Sequence, residues 1–341
     1  MAYDLSHMLV IGISSRALFD LEKEAQIYDE QGLDAYIQYQ LAHENNILQP
    51  GTAFPLVKGL LALNQRISAE GLSGGDRLVE VIVMSRNSPD TGLRIFNSIH
   101  HYGLDITRAA FSGGESLAPY LDAFDVDLFL SKSKSDVQMA IDAGIASALL
   151  YDPPVQQNNS ATLDITVDET QDATRGQTTA GTEDSARQGI DKLRIAFDAD
   201  AVLFSEESEA IYRAHGIEAF YENERNNADK PLQEGPFAKL LKTLSLLQQE
   251  FSPSESPVRV AIVTARCSPG HERVIKTLRG WGVRVDAAFF LGGVSKDQIL
   301  KAFGAQIFFD DQEVHLGLAS TVVPSGWVPY RTDSVLRQPQ S

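Results

Sequence analysis

Two stretches of this chain repeat each other, and the repeat limits the fold more than any other feature. Val83-Met84-Ser85-Arg86-Asn87-Ser88-Pro89 is answered by Val263-Thr264-Ala265-Arg266-Cys267-Ser268-Pro269. Phe111-Ser112-Gly113-Gly114 returns as Phe290-Leu291-Gly292-Gly293, and Asp127-Leu128-Phe129-Leu130-Ser131-Lys132 as Gln306-Ile307-Phe308-Phe309-Asp310-Asp311. Ala17-Leu18-Phe19 parallels Val202-Leu203-Phe204. The period is roughly 180 residues, too long for a solenoid repeat, so the reading is an internal duplication of a domain-sized unit. Within each copy, short apolar runs alternate with helical stretches, which implies a parallel sheet covered by helices. The expected fold is α/β, with two related Rossmann-like parallel-sheet halves.

Strands are expected near 8–13, 79–84, 106–111, 127–131 and 146–150, and again over 193–198, 258–263, 284–290, 306–310 and 320–323. The stretch 206–250 reads as helical, with Leu240, Leu241, Leu244 and Leu247 on one apolar face. Its place after the 193–198 strand suits a small cap, over about 206–256, that excludes water from a crevice. Lys230, Glu234 and Tyr221 could touch a ligand there. Pro153 to Arg187 is rich in Gln, Asn, Thr, Asp and Gly. It reads as a mobile linker, 153–192, in which Leu163–Val167 alternates like a short edge strand. That leaves a first unit, 1–152, a second, 193–330, and a tail, 331–341, expected to be disordered.

The polar residues that matter sit at strand ends. The short strand-like run Arg194-Ile195-Ala196-Phe197, apolar after its arginine, ends in Asp198-Ala199-Asp200, two carboxylates two positions apart. Like charges that close call for a partner, and a divalent cation is the natural one. Val260–Val263 ends in Thr264-Ala265-Arg266, Ile307–Phe309 ends in Asp310-Asp311, and Lys296 opens a helical stretch. In open α/β sheets such ends line one crevice. These residue types suit phosphoryl transfer through an aspartyl-phosphate. Asp198 is the expected nucleophile and Asp200 the acid and base. Mg²⁺ takes oxygen ligands, which Asp198, the Asp200 backbone carbonyl, and Asp310 or Asp311 can supply. Thr264 offers a hydroxyl, and Lys296 a cation, to the phosphoryl group. Arg266 and Ser268, before a helix start near Pro269, are expected at the substrate. Each residue also has an ordinary reading: a solvated turn for Asp310-Asp311, a local backbone bond for Thr264, an acidic partner for Arg266.

The set Asp198-Ala199-Asp200-Ala201-Val202, Thr264, Lys296 and Asp310-Asp311 resembles the four motifs of the haloacid dehalogenase superfamily. That resemblance implies the same roles for these residues and a haloacid dehalogenase-type fold in which the second half is catalytic. Ser14–Asp20, Gly51–Lys58, Gly92–Ser98, Phe204–Glu209, Lys230–Gly235 and Val263–Arg266 resemble the cytosolic 5'-nucleotidase I family, over roughly Leu9 to Tyr330. The family implies Mg²⁺-dependent release of phosphate from nucleoside 5'-monophosphates such as AMP, a nucleotide effector, and a homo-oligomer. Two other functions stay open: a phosphatase for sugar phosphates or other metabolites, and a nucleotide-binding regulator with little turnover.

The first copy lacks these groups. Around Ser14 and Ser15 no aspartate faces the position of Asp198 or Asp200, Met84 is matched with Thr264, Leu117 with Lys296, and Ser131-Lys132 with Asp310-Asp311. This half either covers apolar surface of its twin or contributes a binding pocket. Arg86, Asn87, Arg94, Asn97, His100 and His101 are the residues that would build one, and Arg86 and Asn87 are expected at substrate.

Composition bounds the rest. With 341 residues and 43% apolar content, the chain can bury two ordinary cores. Its single cysteine, Cys267, excludes an intrachain disulfide. A net charge of −17 argues against nucleic acid as a partner. No signal-like start and no apolar run of membrane length are seen, so a cytoplasmic protein without a membrane partner is expected.

Overall fold

The computed structural model describes residue 5 and residues 7–70, 77–151 and 192–337, with residues 66–70 as backbone alone. Most of the expected linker, with its Leu163–Val167 strand, lies outside the described residues. In the first half the strands are β1 (Leu9–Ile13), β2 (Val79–Ser85), β3 (Arg108–Phe111), β4 (Leu128–Ser131) and β5 (Ser147–Tyr151). In the second they are β6 (Leu193–Phe197), β7 (Val258–Thr264), β8 (Ala287–Phe290), β9 (Ile307–Asp310) and β10 (Ser325–Trp327). The last is a correction: the expected 320–323 strand is the cap of a helix and the turn after it, and the strand runs only from Ser325. Pro324 precedes the strand, and the residue before a proline is biased away from helix.

All ten strands join one sheet, in the order β3-β2-β1-β4-β5-β10-β9-β6-β7-β8. Each half contributes the same five-strand order, and within each half every pairing is parallel. The halves meet where β5 pairs antiparallel with β10. The strands of one half therefore run opposite to those of the other. The C-terminal strand ends, where ligands bind in such sheets, lie on opposite edges for the two copies.

The helices repeat as well. The first half has α1 (Ser15–Leu18), α2 (Glu22–Gln31), α3 (Leu33–Ala42), α4 (Phe54–Glu70), α5 (Pro89–His101), α6 (Ala118–Ala123) and α7 (Lys134–Asp142). The second has α8 (Glu207–Asn226), α9 (Ala238–Gln249), α10 (Gly270–Gly280), α11 (Asp297–Phe303) and α12 (Glu313–Ala319). Gly216, with φ of 80°, kinks α8 as Gly32, with φ of 84°, separates α2 from α3. At Gly51 an added Cβ would lie 2.8 Å from the Ala17 carbonyl oxygen, and at Gly235 2.3 Å from that of Phe204. Only glycine lets the backbones pass this closely.

Leu240, Leu241, Leu244 and Leu247 are buried, and α9 packs on β7 and on β1 of the other half, as α4 packs on β6. One core cluster accordingly runs through both halves, from Leu9 and Ile11 to Ile195 and Ile307. Within the span 206–256 expected as a cap, α9 is part of the layer on the sheet, because a four-leucine face needs an apolar partner. α8 stands beside the strand ends, in contact with α10 and with the turn after β6, which α9 also touches. The tail expected to be disordered from Arg331 is hydrogen-bonded as far as it is described. Thr332 donates to Asp142, and Val335–Arg337 forms a 3₁₀ turn. Among the described residues no helix is long and apolar enough to cross a membrane.

The register of the two copies also corrects one pairing. Gly113 N–H donates to the Asn87 carbonyl and Gly292 N–H to that of Arg266, the same bond in each half. Ser112 and Leu291 likewise bond to Ser85 and Thr264. Ser85, not Met84, therefore stands where Thr264 does, and Asn87 where Arg266 does. The shared Arg-x-Ser-Pro letters had shifted the match by one residue.

Candidate active site

β9, β6 and β7 are neighbours in the sheet, so their C-terminal ends gather Asp310-Asp311, Asp198 and Thr264 in one place. Lys296 enters from the start of α11. All five side chains are buried. Carboxylate oxygens of Asp198, Asp310 and Asp311 lie within 4.8 Å of one another. Lys296 Nζ is 2.7 Å from Asp310 Oδ2 and 3.0 Å from Asp198 Oδ1. Asp310 is further held by the Gln312 N–H at 2.8 Å, with His315 Nδ1 at 3.3 Å. Tyr330 donates its hydroxyl to Asp311 Oδ2, and Trp327 Nε1 holds the Asp311 carbonyl at 2.9 Å.

Three carboxylates and one ammonium leave this buried group short of positive charge. Burial, with Asp310 and Asp200 nearby, pushes the Asp198 carboxyl up to about 6, although Lys296 opposes the shift. Burial beside Asp198 and Asp310 pushes Asp311 well above the usual carboxylate range. For Asp310 burial is outweighed by Lys296 and His315, and its carboxyl is held below that range. Burial would lower the Lys296 ammonium, but Asp198 and Asp310 raise it above the ordinary lysine value. Asp311 Oδ1 is buried without a hydrogen-bond partner, and Asp198 Oδ1 has the Lys296 ammonium beside it. An orphaned carboxylate oxygen within an excess of negative charge fits a hard divalent cation.

Asp200 owes its place to one extra residue. In the first half, Phe19 N–H bonds back to the Ser15 carbonyl; in the second, Phe204 N–H bonds to that of Ala199, five residues back rather than four. The surplus residue makes Ala199–Leu203 a wide π-type turn with Ala201 left-handed at φ of 57°. A non-glycine residue there costs roughly 1–3 kcal/mol, a strain found mostly at functional sites. The turn carries Asp200 towards Arg266, whose Nε and Nη2 hold both its oxygens at 2.7 and 2.6 Å. The Asp200 carboxylate is thus outside the three-carboxylate cluster.

Arg266 is itself buried. It gives Nη1 to Glu224 at 2.6 Å and lies over the Phe220 ring at 5.3 Å. Glu224 also accepts from Ser208 and Arg273. Glu224, Tyr330 and His315 were not anticipated from sequence. Glu224 follows Phe220 by four residues on a buried face of α8, and a charge in such a stripe is a usable signal. Tyr330 carries no such mark.

The other expected residues fall as follows. Thr264 Oγ1 accepts from the Arg266 N–H at 3.2 Å, which leaves its own proton free to donate. Ser268 is exposed just before α10. Tyr221 meets Cys267 Sγ at 3.2 Å, whereas Glu234 pairs with Lys242 and Lys230 is exposed. Arg86 and Asn87 lie at the first half's strand ends, on the opposite edge from Asp198. Arg94 is buried against Glu24 and Gln40, Asn97 bonds to the Glu44 carbonyl, and His100 and His101 are exposed, so these four do not join Arg86.

A family model described as 5'-nucleotidase matches residues 1–174 and residues 169–335. Cytosolic 5'-nucleotidase 1B of Homo sapiens is 37% identical over 313 residues, which is 90% of this chain and 46% of that relative. The chain therefore spans about half the length of the curated relative it matches. A solved structure of a Pnkp1/Rnl/Hen1 complex is 15% identical, with 97% of this chain and 99% of that chain covered at a TM-score of 0.29. A putative universal stress protein from Pseudomonas aeruginosa UCBPP-PA14 is 8% identical, with 79% and 88% covered at 0.28. Likenesses that weak carry no argument.

Proposed function

The chain belongs to the 5'-nucleotidase family, and on that premise we propose that it hydrolyses nucleoside 5'-monophosphates, AMP among them, in the cytoplasm. The observation that carries this reading is the buried group of Asp198, Asp310 and Asp311 around Lys296. Asp198 attacks phosphorus, the leaving oxygen departs with a proton from Asp200, and water then cleaves the aspartyl-phosphate. Thr264 and Lys296 donate to the phosphoryl oxygens as charge builds on them. Both oxygens of Asp200 accept from Arg266, so the cycle requires that pair to loosen at one oxygen when substrate enters. Asp198, Asp310 and Asp311 would hold Mg²⁺, which would screen the anionic substrate from the anionic nucleophile.

The test is phosphate release from a panel of nucleoside monophosphates and sugar phosphates, with Mg²⁺ or EDTA. Mg²⁺-dependent release from nucleotides that Asp198→Asn abolishes is the expected result. Release from sugar phosphates alone, or full activity in Asp198→Asn, would overturn the reading.

A further inference from the structure

The first half keeps a cavity where its twin has the carboxylate cluster. We propose that this cavity, of about 530 Å³, is a second site, which binds a small phosphate-bearing ligand without a metal. Its floor is set by the same strand ends. Ser14 N–H bonds to the Leu130 carbonyl as Asp198 N–H bonds to that of Phe309, so Ser14 takes the place of the nucleophile. Ser133 N–H bonds to Ser131 Oγ as Gln312 N–H bonds to Asp310 Oδ1, so Ser131 takes the place of Asp310.

The exchange turns acceptors into donors. Ser14 Oγ accepts from the Ala17 N–H and Ser131 Oγ from that of Ser133, which leaves both hydroxyl protons free. Ser15 and Ser85 share one hydrogen bond at 3.2 Å, so one of their two protons is also free. Above the floor, Arg16 Nε, Arg86 Nε and Asn87 Nδ2 are buried with no hydrogen-bond partner among the described residues. All three side chains line the cavity. Unpaired buried donors are costly and therefore uncommon; three on residues that line one cavity match the several acceptor oxygens of a phosphate.

The acidic groups in the lining do not cancel this. Glu24 is neutralised by Arg94 at 2.6 Å, and Asp136 is paired with Arg86. Asp29 is exposed. The rest of the lining is apolar and aromatic, and meets the donors where Tyr36 bonds to Asn87 Oδ1: Leu33, Ile37 and the edge-to-face pair Tyr28 and Tyr36, 6.0 Å apart. A cavity of this volume takes a small organic ligand rather than a bare ion. A phosphomonoester whose organic body meets the tyrosine wall fits both halves of the lining.

The experiment titrates the full chain in EDTA by calorimetry with two probes, inorganic phosphate and AMP. Both should bind, AMP the more tightly. Arg86→Gln and Asn87→Ala should each weaken binding about tenfold, and Lys296→Gln should leave it unchanged. Asn87→Ala leaves the Arg86–Asp136 pair intact, so it still reports if Arg86→Gln unfolds. No binding of either probe in EDTA would overturn the proposal, as would binding that Lys296→Gln removes and Asn87→Ala spares. The readout is binding without turnover, so it stands or falls apart from the role of Asp198.

Discussion

Arg266 holds both oxygens of Asp200 with one edge of its guanidinium and reaches Glu224 with the other. The guanidinium thus fixes the carboxylate proposed as acid and base to the helix beside the site. Burial would lower the Arg266 group, but Asp200 and Glu224 raise it. Its charge is therefore permanent.

Arg266→Ala should cost roughly 3–5 kcal/mol of stability, the usual result of stranding a buried charge. Glu224 would keep Arg273, Ser208 and Asn223 as partners. Denaturant unfolding of the variant checks this. A loss under about 1 kcal/mol, the value of an exposed pair, would show that the network carries little.

Divalent cation should stabilise the protein more at pH 7.5 than at pH 5. Asp198 and Asp311 are both raised in the folded state. Their protonated forms favour folding, so without metal, stability is lost as pH rises from the ordinary carboxylate range through about 6. A cation competes with those protons and offsets the loss only where they have left. Melting curves with and without Mg²⁺ at the two pH values measure it. An equal shift at both would place the ion elsewhere.

Tyr330→Phe removes only the hydroxyl that donates to Asp311. Hydrogen bonds that orient a ligand typically matter 10–100-fold in metal affinity. The Mg²⁺ concentration giving half-maximal activity should rise by about tenfold or more in this variant, with little change in turnover at saturation. Unchanged Mg²⁺ dependence would mean that Tyr330 serves the tail and not the site.

The strand positions and the three carboxylates were legible because each depends on local pattern. Buried parallel strands read as continuous apolar runs, and their last residues are the crevice residues. What was not legible depends on contacts between distant segments. No residue of β5 or β10 announces that they pair antiparallel, and that pairing alone sends Arg86 and Asp198 to opposite edges. The leucine face of α9 looks the same whether it covers a crevice or a sheet. The Ser85–Thr264 equivalence was hidden by chance identity at Arg86 and Ser88, which only backbone hydrogen bonds resolve.

The central claim is that Asp198 carries the phosphoryl group. The most direct measurement is to acid-quench the protein during turnover of AMP with Mg²⁺, reduce the acyl phosphate with borohydride, and map the modified residue by mass spectrometry. The account predicts homoserine at position 198 and at no other carboxylate. Reduction at Asp310 or Asp311, or none at any residue while phosphate is being released, would contradict it.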